Sequence, residues 1–164
     1  MVKAIFKIVL LGDRGVGKSV LLSRLVHKIF DHQYSPTIGV DIITLTLNTN
    51  DGVYQFKIYD CSGDVNLFLA PQICANSVGC IVTYNSNDPQ SIQHAKIWKC
   101  KYTHSMVVYT QQYIKINSVM CGLQCDTHNM TDQLLCSAKT GYNIYGPFLQ
   151  LLRHITCNNS LQIV

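Results

Sequence analysis

The sequence predicts an α/β fold with three layers, in which helices cover both faces of a mixed, mainly parallel β-sheet. Short apolar runs of strand length alternate along the chain with segments of helical periodicity, which is typical of βαβ units. A glycine-rich turn joins the first apolar run to the first helical segment. The chain has 164 residues, 48% of them hydrophobic, which predicts one domain over residues 1–164 with a sizeable core.

The first two elements are a strand and a helix on either side of the glycine-rich turn. Residues 4–11 form a continuous apolar run, which predicts a buried strand. After the turn, apolar residues recur at helical spacing and predict a helix with one buried face. The residues of that face are Leu21, Leu22, Leu25, Val26 and Ile29.

The next elements are a hairpin and a further strand. Residues 41–47 and 54–59 alternate in places between apolar and polar side chains. They flank Asn50-Asp51-Gly52, which is a strong signal for a hairpin turn. Residues 78–84 are apolar enough to predict another buried strand.

The second half of the chain predicts two helices and two short strands. Asp88 is expected to cap a helix that begins at Pro89, and Pro147 is expected near the first turn of the last helix. Residues 118–122 and 134–136 are the short strand candidates. The inner faces of the two helices are predicted to consist of Ile92, Ala95, Ile97 and Trp98, and of Phe148, Leu151, Leu152 and Ile155.

The composition argues against several kinds of partner. The net charge is only +4 and the basic residues are scattered, so no nucleic-acid surface is expected. No apolar run has the length of a membrane span, and Gly12-Asp13-Arg14 interrupts the N-terminal run with no signal-peptide cleavage site. A cytoplasmic location is therefore expected, with most of the eight Cys as small core residues. Cys121, Cys125 and His128 lack the spacing of standard zinc sites.

The glycine-rich turn carries the most specific motif. Gly12-Asp13-Arg14-Gly15-Val16-Gly17-Lys18-Ser19 fits the phosphate-loop pattern, and the strand before it and the helix after it are those of P-loop NTPases. Lys18 can reach the β- and γ-phosphates, and the Ser19 hydroxyl can ligate magnesium. Backbone N–H groups are expected to contact the phosphates at Gly12, Arg14, Gly15, Val16 and Gly17. The motif alone indicates a phosphate or nucleoside triphosphate binder, so an ATP-using enzyme remains an alternative.

Two later segments resemble the switches of Rab GTPases in the Ras superfamily. Thr37-Ile38-Gly39-Val40-Asp41 resembles the first switch, which implies that Thr37 ligates magnesium and senses the γ-phosphate. The same resemblance places Phe30 against the guanine face, although Phe30 taken alone would be read as a core aromatic. Tyr59-Asp60-Cys61-Ser62-Gly63-Asp64 resembles the second switch, Trp-Asp-Thr-Ala-Gly-Gln. By that resemblance Asp60 holds magnesium through water and the Gly63 N–H meets the γ-phosphate.

The resemblance extends over nearly the whole chain. Residues 79–84 and 88–92 are also Rab-like, and Cys136-Ser137-Ala138-Lys139-Thr140-Gly141 matches the loop that supports guanine. In that loop, Ser137, Ala138 and Lys139 are assigned to the base, with the Ala138 N–H meeting the base oxygen. Leu123-Gln124-Cys125-Asp126 stands at the base-reading motif Asn-Lys-x-Asp, where Asp126 accepts from the guanine N1 and N2 donors. These assignments favour guanine over adenine.

The chain departs from the family at several of these positions. Asp64 replaces the glutamine that orients water, and a carboxylate cannot donate to the attacking water. Arg14 replaces a small residue and is expected to crowd the γ-phosphate, with a role as a built-in cation as the alternative. Leu123 and Gln124 lack the amide and the charge of the base-reading motif, so weaker guanine binding is expected. Only ten residues separate Asp126 from Ser137, too few for the helix that relatives place there.

By this resemblance, the chain is identified as a divergent Rab-like small GTPase. It implies binding of GTP or GDP with Mg²⁺ as a switch in membrane-traffic-type signalling, with Lys18, Thr37 and Asp64 at the catalytic positions and slow hydrolysis. The expected partners are Rab regulators or effectors. The alternative is a degenerate module that binds such partners, for example as a decoy. Because Cys157 lies in no lipidation motif, no autonomous membrane anchor is expected.

Overall fold

A single sheet of five strands runs through the part of the chain that the computed structural model describes, namely residues 1–30, 37–63, 71–110, 116–124 and 134–164. The strands are β1 (Val2–Leu11), β2 (Val40–Thr49), β3 (Gly52–Cys61), β4 (Gly79–Asn85) and β5 (Asn117–Leu123). Their order across the sheet is β2-β3-β1-β4-β5. Only the pair β2–β3 is antiparallel among these strands, so the prediction of a mixed, mainly parallel sheet is confirmed.

Helices pack on both faces of the sheet, as predicted. They are α1 (Lys18–His27), α2 (Pro71–Cys74), α3 (Pro89–Thr110) and α4 (Gly146–Thr156). One apolar cluster joins α1 and α4 to one face of the sheet, and a second joins α2 and α3 to the opposite face. Neither α3 nor any other helix in the described ranges is long and apolar enough to cross a membrane.

The hairpin of β2 and β3 forms where the turn signal predicts it. Thr49 lies opposite Gly52, so Asn50 and Asp51 make the turn. The Thr49 hydroxyl donates to the Gly52 carbonyl at 2.7 Å and accepts from the Asp51 N–H at 3.3 Å. This register turns Leu45 and Leu47 towards the core that includes α1 and α4.

Three details of the sequence-based prediction are wrong. Ile29 is 59% exposed, because Lys28 adopts a left-handed conformation (φ 61°) that ends α1 and turns the chain away from its apolar face. Ile97 is 51% exposed, because the buried stripe of α3 passes through Ala95, Trp98 and Tyr102 instead. Residues 134–136 do not form a strand, and their pairing with the described strands is a parallel bridge between Gly122 and Leu135.

The parallel strands all end at one edge of the sheet. β1 leads into residues 12–17 there, and β3 leads into residues 62–63. At the same edge, β4 leads into the turn before α3 and β5 ends at Leu123. Loops at the carboxyl ends of parallel strands are the usual place for a ligand in such a sheet. The candidate residues of the sequence analysis therefore gather at this edge.

Candidate functional site

Residues 12–17 form a tight loop between β1 and α1. Gly12, Gly15 and Gly17 have φ values of 143°, 81° and 104°, in the region that favours glycine. Gly12 also lies so close to β4 that a Cβ there would overlap the Thr83 carbonyl oxygen. The Leu21 N–H bonds to the Gly17 carbonyl, so α1 begins directly at the loop, with the N–H groups of its first turn at the loop end. This geometry suits an anion.

Lys18 is buried inside this loop. Its Nζ donates to the carbonyl oxygens of Gly12 and Asp13, each at 2.9 Å, and the residue is only 6% exposed. Burial lowers the pKa of Lys18, whereas the nearby Asp60 carboxylate raises it. The ammonium group is therefore held inside the loop. Within the described part of the chain, its hydrogen bonds go to carbonyl oxygens and not to a carboxylate.

Three oxygen-bearing side chains meet beside Lys18. The Ser19 hydroxyl donates to Asp60 Oδ2 at 2.6 Å, and therefore accepts from the Thr37 hydroxyl at 2.8 Å. The other carboxylate oxygen, Asp60 Oδ1, is buried and has no hydrogen-bond partner among the residues that the structure describes. Burial raises the pKa of Asp60, partly offset by the Ser19 hydrogen bond and by Lys18. A buried, unpaired carboxylate oxygen beside two hydroxyls is a ligand set that fits Mg²⁺.

The loop residue Asp13 is tied to α3, a connection that the sequence analysis missed. Its Oδ1 accepts from Trp98 Nε1 at 2.8 Å, and its Oδ2 lies 2.7 Å from His94 Nδ1. His94 and Trp98 are one helical turn apart, so one face of α3 contacts both carboxylate oxygens. The Asp13 carbonyl thus accepts a hydrogen bond from Lys18, and its carboxylate contacts α3. No local signal links positions separated by more than 80 residues.

Gly63 lies against the loop backbone at Asp13 and Arg14. A Cβ at Gly63 would overlap the backbone nitrogen of Arg14, so this approach requires glycine. Arg14 itself is exposed. Asp64, the residue that follows Gly63, lies outside the described residues.

Leu123 and Gln124 both contact the loop. Leu123 is buried, and its Cδ1 would lie 3.7 Å from a Cβ on Gly17. The Gln124 amide donates to the carbonyl oxygens of Gly15 (3.2 Å) and Val16 (3.4 Å). These two side chains therefore support the loop. Asp126, the fourth residue of the predicted base-reading motif, lies outside the described residues, as do Cys125 and His128.

A tight turn after Cys136 holds the remaining candidates. Ser137 is fully buried, and its hydroxyl accepts from the Thr140 N–H at 3.1 Å while its carbonyl accepts from the Gly141 N–H at 2.9 Å. These bonds place Ala138 and Lys139 at the tip of the turn, with Ala138 half-buried and Lys139 exposed. Phe30 is half-buried as well, a few residues beyond the end of α1.

Comparison with known proteins gives one family and several relatives. The sequence profile of the Ras family matches residues 7–157. Ras-related protein Rab-31 of Rattus norvegicus is 32% identical over 136 residues, which cover 81% of this chain and 66% of that protein. Ras-related protein Rab-5B of Plasmodium falciparum is 32% identical over 160 residues, with 91% and 77% covered. The chain spans less than half, 47%, of the Rab7A of Mesembryanthemum crystallinum, at 33% identity.

Proposed function

This chain belongs to the Ras family, and we propose that it is a Rab-like GTPase that binds guanine nucleotide with Mg²⁺ and acts as a switch in membrane traffic. The observation that carries the proposal is the meeting of Ser19, Thr37 and Asp60, at 2.6–2.8 Å, beside the buried Lys18 of a complete phosphate loop. Three segments that are distant in sequence supply these groups. Regulators or effectors of Rab proteins are the partners that follow from this proposal.

Each polar group of the loop has a distinct task in this proposal. The Lys18 ammonium exchanges its two carbonyl contacts for phosphate oxygens, and the N–H groups of residues 12–17 bind the remaining charge. Ser19, Thr37 and Asp60 would hold Mg²⁺, which when bound neutralises phosphate charge. Thr37 bonds directly to Ser19. The segment that contains Thr37 is therefore proposed to change its conformation when the γ-phosphate is lost.

Recognition of guanine is proposed to be weaker than in intact relatives. Leu123 has no polar group for the base, and the Gln124 amide is already bonded to the loop carbonyls. Each lost hydrogen bond costs about 1–3 kcal/mol, or roughly 5- to 150-fold in affinity. The phosphate contacts are retained, so binding should be reduced without being abolished.

The second candidate function is a module that binds Rab regulators or effectors without cycling between nucleotide states. The observation that favours it is that the protein's own side chains supply hydrogen bonds to the loop. Lys18 and Gln124 together donate to four of its carbonyl oxygens. Such a loop holds its shape without a nucleotide. This candidate differs from the first in predicting that no nucleotide copurifies with the protein.

Titration calorimetry with GDP, GTP and ATP in the presence of Mg²⁺ tests the proposal. Both guanine nucleotides should bind more tightly than ATP, and Lys18→Ala should remove most of the binding. Lys99→Ala, which changes an exposed lysine on α3, is the matched control and should bind normally. Equal affinity for the three nucleotides would contradict guanine preference. Retained binding in Lys18→Ala would place the nucleotide elsewhere.

A further inference from the structure

Two buried thiols touch each other next to the candidate base-binding residues. Cys121 Sγ lies 3.0 Å from Cys136 Sγ, and both residues are fully buried. Cys121 stands in β5 just before Leu123 and Gln124, and Cys136 directly precedes Ser137. The pair therefore joins the two segments to which the sequence assigns the base.

The backbone holds the two cysteines on the same side of the sheet. Gly122 bridges Leu135 in parallel, with the Gly122 N–H bonded to the Leu134 carbonyl and the Cys136 N–H bonded to the Gly122 carbonyl, each at 2.9 Å. Residues adjacent to a bridged pair point to the face opposite that pair. Cys121 and Cys136 flank the bridge diagonally, so the pairing places both side chains on one face of the sheet, where their sulfur atoms lie 3.0 Å apart.

We propose that Cys121 and Cys136 form a reversible disulfide bond. The bond would cross-link the two segments to which the sequence assigns the base, namely the end of β5 and the turn that begins at Ser137. Hydrogen peroxide is the oxidant class that balances the reaction. One thiol sulfur attacks the peroxide, the O–O bond breaks, and a sulfenic acid and one water form. The second thiol sulfur then attacks the sulfenic sulfur, the S–O bond breaks, and the hydroxyl leaves with the thiol proton as a second water. Two thiols are thereby oxidised by two electrons, and the peroxide is reduced to two waters.

Burial sets the rate and the selectivity of this reaction. Burial raises the pKa of the Cys121 thiol well above its usual value, and the adjacent Cys136 raises it further. The thiolate is the reactive form, so oxidation should be slower than at the exposed Cys100 and Cys157. Once one sulfur is oxidised, its partner is already within reach, and the bond closes without a second molecule of oxidant.

The bond would restrain the segments that flank the base. A disulfide between residues 121 and 136 closes a loop that contains Asp126 and the end of β5. Cross-linking a loop of this length should raise the unfolding temperature by on the order of 5 °C. It should also slow the release of a bound guanine nucleotide, and this second effect rests on the proposed function. Formation of the bond itself does not rest on it.

Peptide mapping of the oxidised full chain tests the proposal. The variant Cys100→Ala/Cys125→Ala/Cys157→Ala removes the exposed thiols and the cysteine between the pair. It is treated with hydrogen peroxide, alkylated and cleaved before aspartate, which separates Cys121 from Cys136 at Asp126 and Asp132. The expected product is a Cys121–Cys136 linked peptide pair that dithiothreitol separates. Cys61, Cys74 and Cys80, which are also buried, should remain alkylatable after unfolding. The same peroxide treatment of wild type should give the same linked pair.

The outcomes separate this proposal from the proposed function. Cys121 and Cys136 that both remain alkylatable after prolonged oxidation, or that link to other cysteines, would overturn the disulfide. An unchanged unfolding temperature in a chain that carries the bond would overturn the restraint of the two segments. If the bond forms but fluorescent GDP does not bind in either redox state, the proposed function fails while the disulfide stands. If GDP binds and no bond forms, the reverse holds.

Discussion

At the scale of single residues, the candidate site concentrates buried charge that the protein itself only partly compensates. Burial lowers the pKa of Lys18 and raises that of Asp60, so in each case the ionised form is disfavoured by the surroundings. One carboxylate oxygen of Asp60 also lacks a hydrogen-bond partner within the described ranges of the chain. Buried charges of this kind cost stability unless they are paired. The presence of both charged groups in one site therefore argues for a ligand that pairs with them.

Asp60→Asn should stabilise the ligand-free protein while weakening magnesium-dependent binding. The folded-state pKa of Asp60 is raised above its ordinary 3.8, so its contribution to stability is present below 3.8 and is lost as pH rises through the folded value. At neutral pH in EDTA the variant should therefore unfold at a higher temperature than wild type. The stability of wild type should fall relative to that of the variant as pH rises through this window. A variant that is less stable than wild type at neutral pH would contradict this account of Asp60.

Loss of the Asp13 contacts should weaken phosphate binding from a distance. Trp98→Phe keeps the aromatic packing but removes the 2.8 Å bond to Asp13, and His94→Ala removes the other contact. A hydrogen bond to a charged group contributes about 1.5–3 kcal/mol, so GDP affinity should fall by up to roughly 10- to 150-fold in each variant. His104→Ala, an exposed histidine farther along α3, is the matched control. Affinity equal to wild type in Trp98→Phe would show that Asp13 does not position the loop.

Hydrolysis of GTP should be slow, because Asp64 replaces an amide at the position that orients water. A carboxylate cannot donate to the attacking water, and its charge opposes a developing hydroxide. Arg14 is an exposed residue of the loop, and we expect its side chain to crowd an arginine supplied by an activating protein. Asp64→Gln together with Arg14→Ser should therefore raise the single-turnover rate. A lower rate would mean that Asp64 is a general base and Arg14 an internal cation.

Among the secondary-structure elements, the sequence predicts those turns and helix ends that are determined by a few neighbouring residues. Asn50-Asp51-Gly52 predicts the hairpin, and the Gln90 N–H bond to Asp88 Oδ1, at 2.9 Å, agrees with the predicted helix cap. Ile97 is wrongly assigned to the core because apolar character alone does not fix the buried face of a long helix. The link from α3 to Asp13 is not predictable either, since it depends on how two distant elements pack. The site roles of Asp64 and Asp126 remain predictions.

The C-terminal segment after α4 should contribute stability without affecting the site. Leu161 is fully buried in the core, and Arg153 donates to its carbonyl through Nε and Nη2 at 3.0 and 2.6 Å. Leu161→Ala should lower the free energy of unfolding by about 2–4 kcal/mol, as for other buried leucines. Ile163→Ala, at a position that is 39% exposed, is the control and should cost far less. Chemical denaturation measures both, and equal losses would contradict the role of Leu161.

In the molecule as a whole, the two opposite edges of the sheet, at which the strands begin and end, have different roles. The carboxyl ends of the parallel strands gather the phosphate loop, Thr37 and Asp60. The opposite edge holds the hairpin turn, where Thr49 bridges Ile163 and the Asn50 N–H bonds to the Gln162 carbonyl at 3.1 Å. β2 spans ten residues between these edges, a distance of about 30 Å. Changes at one edge should therefore add to changes at the other.

Ligand binding should raise the stability of the whole chain by an amount that is independent of the far edge. Mg²⁺-GDP at about 100 times its Kd stabilises a protein by about 2.7 kcal/mol, which corresponds to roughly 5–10 °C in Tm for a chain of this size. Scanning calorimetry should show this shift in wild type, a smaller shift in EDTA, and none in Lys18→Ala. Leu161→Ala should begin from a lower Tm and retain a comparable upward shift, because the segment of Leu161 pairs with the hairpin turn at the far edge, where the Asn50 N–H bonds to the Gln162 carbonyl. A shift that disappears in Leu161→Ala would mean that the edges are coupled, and a shift that persists in Lys18→Ala would mean that the stabilising ligand does not bind at the phosphate loop.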